Sequence, residues 1–220
     1  MLHYCDDGRK EGKEEKVDDT FHAFAVFAIP LIAIGEEIGA EMAPRQFNHL
    51  VSRLVHNPVI RKAVPLAIAL VNVSNPQLPL LDTPSKYSHD NDLGFALNAI
   101  LAMGVIGAGT NSAQLEQMLR QLAGYYQREP DCLFMIHVVQ GLVRMGKGTI
   151  GINPFFSDRE IMSKPAVAGL LGVLTVFLDT KPFILDKYHW VFFLVPAMYP
   201  QFLITLDEDL WSIPVAVRVG

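Results

Sequence analysis

One run in this sequence could cradle a phosphate. Gly141-Leu-Val-Arg-Met-Gly146-Lys147 fills the first seven positions of a P-loop, where backbone amides and a lysine hold nucleotide phosphates. Gly148 stands where the metal-liganding Ser or Thr belongs, and Thr149 comes one place late. A P-loop also follows a strand, whereas this run is expected to end a helix, so a weak nucleotide hydrolase using Lys147 is the minor reading. Gly146-Lys-Gly148-Thr-Ile-Gly151 fits the dinucleotide glycine pattern by count alone and reads as a turn between repeats. Glu36 and Glu37 are adjacent on a helix end and do not face each other as an acid/base pair would. Histidines 3, 22, 49, 56, 89, 137 and 189 lack ligand spacing, and only His49 and His56 could share a helix face. Ser157-Asp158-Arg159 and Asp207-Glu208-Asp209 read as solvated charged turns. No catalytic, cofactor-binding or metal-binding residue is therefore expected.

Composition narrows the function classes further. At 220 residues, 50% hydrophobic and 19% charged, the chain has ample apolar material for a core. Its net charge of -5 offers no basic footprint for a phosphate backbone, so no nucleic-acid partner is expected. Cys5 and Cys132 are far apart, which excludes a disulfide scaffold or thiolate zinc site and fits a reducing compartment. The longest clean apolar run, Pro165 to Leu178, is shorter than the roughly 20 residues that span a bilayer, and Val191 to Leu206 is broken by Pro196 and Pro200. No membrane segment is expected.

Charge concentrates at the start. Residues 1–20 carry Asp6, Asp7, Arg9, Lys10, Glu11, Lys13, Glu14, Glu15, Lys16, Asp18 and Asp19, and are expected to form a disordered charged leader. They lack the apolar stretch of an export signal.

The remaining chain is self-similar. Phe27 to Gly35, Leu66 to Ser74, Ala99 to Gly107 and Val138 to Gly146 align without gaps, and their last residues, Gly35, Ser74, Gly107 and Gly146, lie 39, 33 and 39 positions apart. That period is the mark of a helical repeat array. Each unit reads as an inner helix apolar nearly all round, a small turn residue supplying left-handed backbone, and a return helix. In the first, Pro44 opens a return helix buried through Phe47, Leu50, Val51 and Leu54, and Asn57-Pro58 ends it. In the third, Asn111 or Ser112 caps a helix whose stripe is Leu115, Met118, Leu119 and Leu122, while Ala96, Ala99, Ala102 and Gly104 permit close packing. In the second, Asn75-Pro76, Pro79 and Pro84 predict a loop over 75–92 that serves as an exposed binding feature.

These residues carry a resemblance. Leu31 to Ala43, Arg61 to Ala67, Val73 to Pro76, Gly107 to Asn111, Met118 to Ala123, Gln140-Gly141, Gly146 to Thr149, Ser157 to Arg159 and Val215 to Gly220 are similar to the C-terminal part of the largest non-ATPase subunit of the proteasome regulatory particle base. That family is built of proteasome/cyclosome repeats, and its charged insertion resembles the leader here. The resemblance implies a mainly α, α-α superhelical or toroidal repeat and a non-catalytic scaffold in the cytoplasm and nucleus. Its implied partners are the ATPase ring and other base subunits, with ubiquitin-like shuttle proteins contacted through repeats outside this chain. Pro30 and Pro196 stand where the family would have Ala, and Ser74 replaces a repeat-ending glycine.

The expected divisions follow: a leader over 1–20, about four helical units over 21–163, closing helices over 164–199, and the start of a truncated β-rich domain over 200–220. Val167 to Leu178 and Tyr188 to Met198 read as the closing helices, the second kinked at Pro196. Phe202 to Leu206 and Ile213 to Val219 read as short strands joined by the acidic turn.

Overall fold

The computed structural model describes residues 19–34, 42–43, 45–47, 49–50, 57–156, 161–178, 188–201 and 205–213. Residues 1–18 of the charged leader, Gly35 to Ala40 with Glu36 and Glu37, Ser157-Asp158-Arg159 and both outer ends of the expected C-terminal strands lie outside them, while Asp19 and Thr20, expected in the leader, begin the first helix. What remains is a helical repeat with one small sheet.

Four inner helices form a ladder in which each packs on the next. They are α1 (Asp19–Ala33), α2 (Pro58–Val71), α4 (Leu93–Ile106) and α6 (Pro130–Val143). Outer helices α3 (Leu78–Tyr87) and α5 (Ala113–Tyr125) pack on α4 and α6. Phe47 and Leu50 are buried helical residues of the first unit's return helix, whose bounds lie outside the described residues.

Helix α4 shows why an inner helix must be apolar all round. Every residue from Phe95 to Ile106 is buried, because α2 and α6 flank it and α3 covers a third side. Burying one such Leu, Ile or Phe contributes about 1.5–3 kcal/mol. Polar Asn98, wholly buried, is tolerated because its amide donates to the Lys62 carbonyl at 3.0 Å and the Phe177 carbonyl at 3.1 Å, tying α4 to α2 and to the end of α7 (Lys164–Val176). On α5, Leu115, Leu119 and Leu122 are buried and Ser112 is the cap, its hydroxyl accepting from Leu115 N–H; Met118 is half-buried.

Two expected outlines change. The segment expected as a loop over 75–92 contains α3, because Pro79 falls in the first turn, where its missing N–H has no helical partner to lose. Pro84 lies inside the helix and removes one bond. Tyr188–Ala197 is a 3-10 helix rather than a kinked α-helix, with Pro196 inside it. It packs on α7, where Trp190 is buried edge-on against Phe177 at 4.9 Å between ring centroids. Pro30 sits inside α1 without ending it.

The sheet was not expected where it occurs. Strands β1 (Ile150–Ile152) and β2 (Met198–Pro200) pair antiparallel, Gly151 opposite Tyr199. The expected acidic turn is also present as a hairpin bridged at Leu206 and Ser212. Among the described residues, no helix is long and apolar enough to cross a membrane.

The close packing of the third unit generates a stability prediction. A Cβ on Gly107 would lie 2.0 Å from a Leu115 methyl, and one on Gly109 would lie 1.8 Å from the Ile150 carbonyl oxygen at a φ of 67°. Gly107→Val is expected to cost more than about 1 kcal/mol and Gly109→Ala about 2 kcal/mol, read from urea denaturation midpoints.

Candidate functional site

The residues singled out by spacing converge on the turns that follow the inner helices. Helices α2, α4 and α6 are each 14 residues long. Three residues past their ends stand Ser74, Gly109 and Gly146, with φ of 54°, 67° and 58°. The left-handed turn of the third unit therefore falls on Gly109. Gly107, where the gapless alignment places the turn, instead caps α4 with φ of -90°, two residues before the left-handed one. Gly35 lies outside the described residues.

The first two of these left-handed residues turn their N–H groups toward the next inner helix. Ser74 N–H donates to the Val105 carbonyl at 3.0 Å, and Gly109 N–H to the Leu142 carbonyl at 2.9 Å. Val105 and Leu142 occupy the same place, one residue before the last of α4 and α6. The bond thus repeats from unit to unit and uses carbonyls that a helix end leaves without an intrahelical partner. Asn111, at φ 50°, adds N–H to the Val143 carbonyl at 3.0 Å.

After Gly146 the chain runs back across this row as β1. The Ile150 carbonyl abuts the Gly109 Cα position, leaving no room for a side chain. Ile152 N–H donates to the Ser74 hydroxyl at 2.8 Å. That bond explains the serine: the position needs left-handed backbone, which glycine gives more cheaply, but only a hydroxyl accepts from the strand. Strand β2 then covers β1, and Asn153 N–H donates to the Ala197 carbonyl at 2.7 Å.

The phosphate-binding reading loses its geometry here. Lys147 is exposed at φ 58° in a 3-10 turn (Met145–Gly148), preceded by α6 and followed by β1, the reverse of a P-loop's strand and helix. Among the described residues, no group of three His, Cys, Asp or Glu could hold a metal ion.

On the outer surface, Glu116 of α5 joins two units. Its carboxylate accepts from Arg144 at the end of α6, one bond at 2.8 Å, and from Arg120 at 3.0 Å. The Arg144 hydrogen bond holds the Glu116 carboxyl below the usual glutamate range. Between α3 and α5 a cleft of about 260 Å³ is floored by Met103, walled by Met118 and Leu122, and rimmed by Ser85, His89 and Tyr125. Beneath it the Tyr126 hydroxyl donates to the Ser88 carbonyl at 2.6 Å, and burial pushes its pKa up to about 12.

The sequence has named relatives. Over its full length the chain is 51% identical to the 26S proteasome regulatory subunit rpn-1 of Neurospora crassa and 47% identical to the 26S proteasome non-ATPase regulatory subunit 2 of Dictyostelium discoideum. The chain is homologous to a C-terminal portion of this proteasome regulatory subunit. A more distant proteasome regulatory subunit, from Encephalitozoon cuniculi, is 27% identical over 92% of the chain. No family model matches. The chain spans about a quarter of the length of the relatives it matches, 24% in the Neurospora and Dictyostelium cases. Within this chain, the turn row and the strand across it form the main structural site among the described residues.

The spacing pointed to Ser74 and Gly146 but missed Gly109 and β1, and it offered Asn111 only as an alternative to Ser112 for the cap of α5, not as a left-handed residue of the turn row. The signal for Gly109 was present in Gly107-Ala-Gly109, a pair of small residues of which a gapless alignment selects only the first.

Two measurements check this geometry. Ser74→Ala and Ser74→Gly both remove the acceptor for Ile152 N–H; each is expected to cost about 1 kcal/mol. Amide exchange at Ile152 should accelerate even in the glycine variant, whose backbone is unstrained. For the carboxylate, NMR titration should find Glu116 below the ordinary range. Its contribution to stability is present at neutral pH and lost as pH falls through that depressed pKa, and Arg144→Gln should move the titration upward.

Proposed function

We propose that the chain is part of a non-catalytic scaffold subunit of the 26S proteasome regulatory particle base. In this role it positions ubiquitin and shuttle-factor receptors beside the ATPase ring during ubiquitin-dependent protein degradation, in the cytoplasm and nucleus. The observation that carries the reading is full-length similarity, at 47–51% identity, to proteins named as proteasome regulatory subunits.

The physical side of the proposal is stiffness. A repeat array whose inner helices share one core, and whose turns are cross-bonded by backbone amides, deforms little under load. Its outer helices are then free to present side chains without carrying the fold, and α3 and α5 with their loops are the surfaces assigned to partner subunits. The ATPase ring and other base subunits are the partners, by surface complementarity rather than chemistry. Lys147, with no phosphate cradle around it, supplies no favourable observation for a nucleotide hydrolase.

Affinity capture of the tagged chain from cell lysate, followed by mass spectrometry, tests the proposal. ATPase-ring and other base subunits are expected in stoichiometric amounts. Their absence would favour a proteasome-independent adaptor or a degenerate fragment that keeps the fold without the assembly role.

A further inference from the structure

Residues 205–213 form a tight hairpin whose tip has no partner within the described chain. Asp207 N–H donates to the Trp211 carbonyl at 2.8 Å, Leu210 N–H to the Asp207 carbonyl at 2.9 Å, and Ile213 N–H to the Thr205 carbonyl at 2.9 Å. The Thr205 hydroxyl adds a bond to the Ile213 carbonyl at 3.1 Å. These bonds fix the hairpin while every residue from Leu206 to Ile213 remains exposed.

The tip is costly in two ways. Leu210 holds a φ of 63°, a left-handed conformation that costs an L-residue about 1–2 kcal/mol and glycine almost nothing. Leu210 and Trp211 are also 78% and 77% exposed, the highest values among the described large apolar side chains. Among the described residues, a leucine where glycine would be free, beside a tryptophan in water, has no contact that offsets either cost. Exposed apolar anchors of this kind mark protein contact sites, and tryptophan is among the residues that dominate them.

The charge around the tip has one sign. Asp207, Glu208 and Asp209 are all exposed, and residues 205–213 include no Lys, Arg or His. We propose that this hairpin is a docking knob for a partner protein surface with an apolar pocket rimmed by lysine and arginine. Leu210 and Trp211 fill the pocket, and the three carboxylates meet the basic rim, steering the approach and fixing the orientation. This surface lies apart from the outer helices assigned above and does not depend on the proteasome role.

The test uses the full chain and a synthetic amphipathic helical peptide of leucine and lysine. A leucine and glutamate peptide of the same pattern is the control. The chain has two tryptophans, so the indole N–H resonances report separately on Trp211 and on buried Trp190. The basic peptide is expected to shift the Trp211 signal and leave Trp190 in place, with affinity falling several-fold at high salt. Leu210→Gly keeps all three carboxylates and relieves the backbone, so its melting temperature should be unchanged or higher while binding weakens about fivefold or more. Equal binding by Leu210→Gly would reduce the contact to charge alone and overturn the knob. The proposal also fails if the acidic peptide binds as well or no Trp211 shift appears. It fails equally if the signal moves with protein concentration in the absence of peptide, which would assign the tip to a second copy.

Discussion

The structure depends on one backbone constraint. An inner helix ends, the chain takes a left-handed residue, and that residue's N–H reaches the penultimate carbonyl of the following inner helix, as at Ser74 to Val105 and Gly109 to Leu142. Each such bond adds about 0.5–1.5 kcal/mol and has one allowed geometry, so it sets the offset between successive units together with the side chains. Apolar packing between α2, α4 and α6 would tolerate some sliding. A hydrogen bond repeated at the same rung does not.

The same constraint explains which residues occupy the turns. Gly109 is a glycine because the backbone there is left-handed and the Ile150 carbonyl presses on its Cα. Ser74 accepts the backbone cost because its hydroxyl receives Ile152 N–H. Gly146 ends the ladder, and the segment after it departs from the repeat to become a strand. Sequence identity at these places therefore follows from what lies across each turn, not from the turn alone.

Much of the repeat was legible. Apolar runs at a helical period announced α2, α4, α6 and the buried stripe of α5, and proline, glycine and serine marked their ends. Three features were hidden for physical reasons. Helix α3 was masked by prolines that are harmless in a first turn and bearable further in. The segment Tyr188–Ala197 is 3-10 and packs on α7 so closely that the Phe193 carbonyl sits 2.2 Å from where a Cβ on Gly169 would stand, a long-range contact that local propensity does not encode. Strand β1 is only three residues long and exists because β2 and the turn row lie on either side of it.

The return of β1 across the turns also changes how the array comes apart. In an open array each unit touches only its neighbours, so opening can begin at either end and spread one unit at a time. Here Ile152 is bonded to Ser74, 78 residues away in sequence, with the third and fourth units enclosed between them. Fraying of the last inner helix must first detach the strand from two earlier turns. Loss of order is thereby made closer to all-or-none over Pro58 to Pro200, at the cost of a slow, late closing step when the chain first folds.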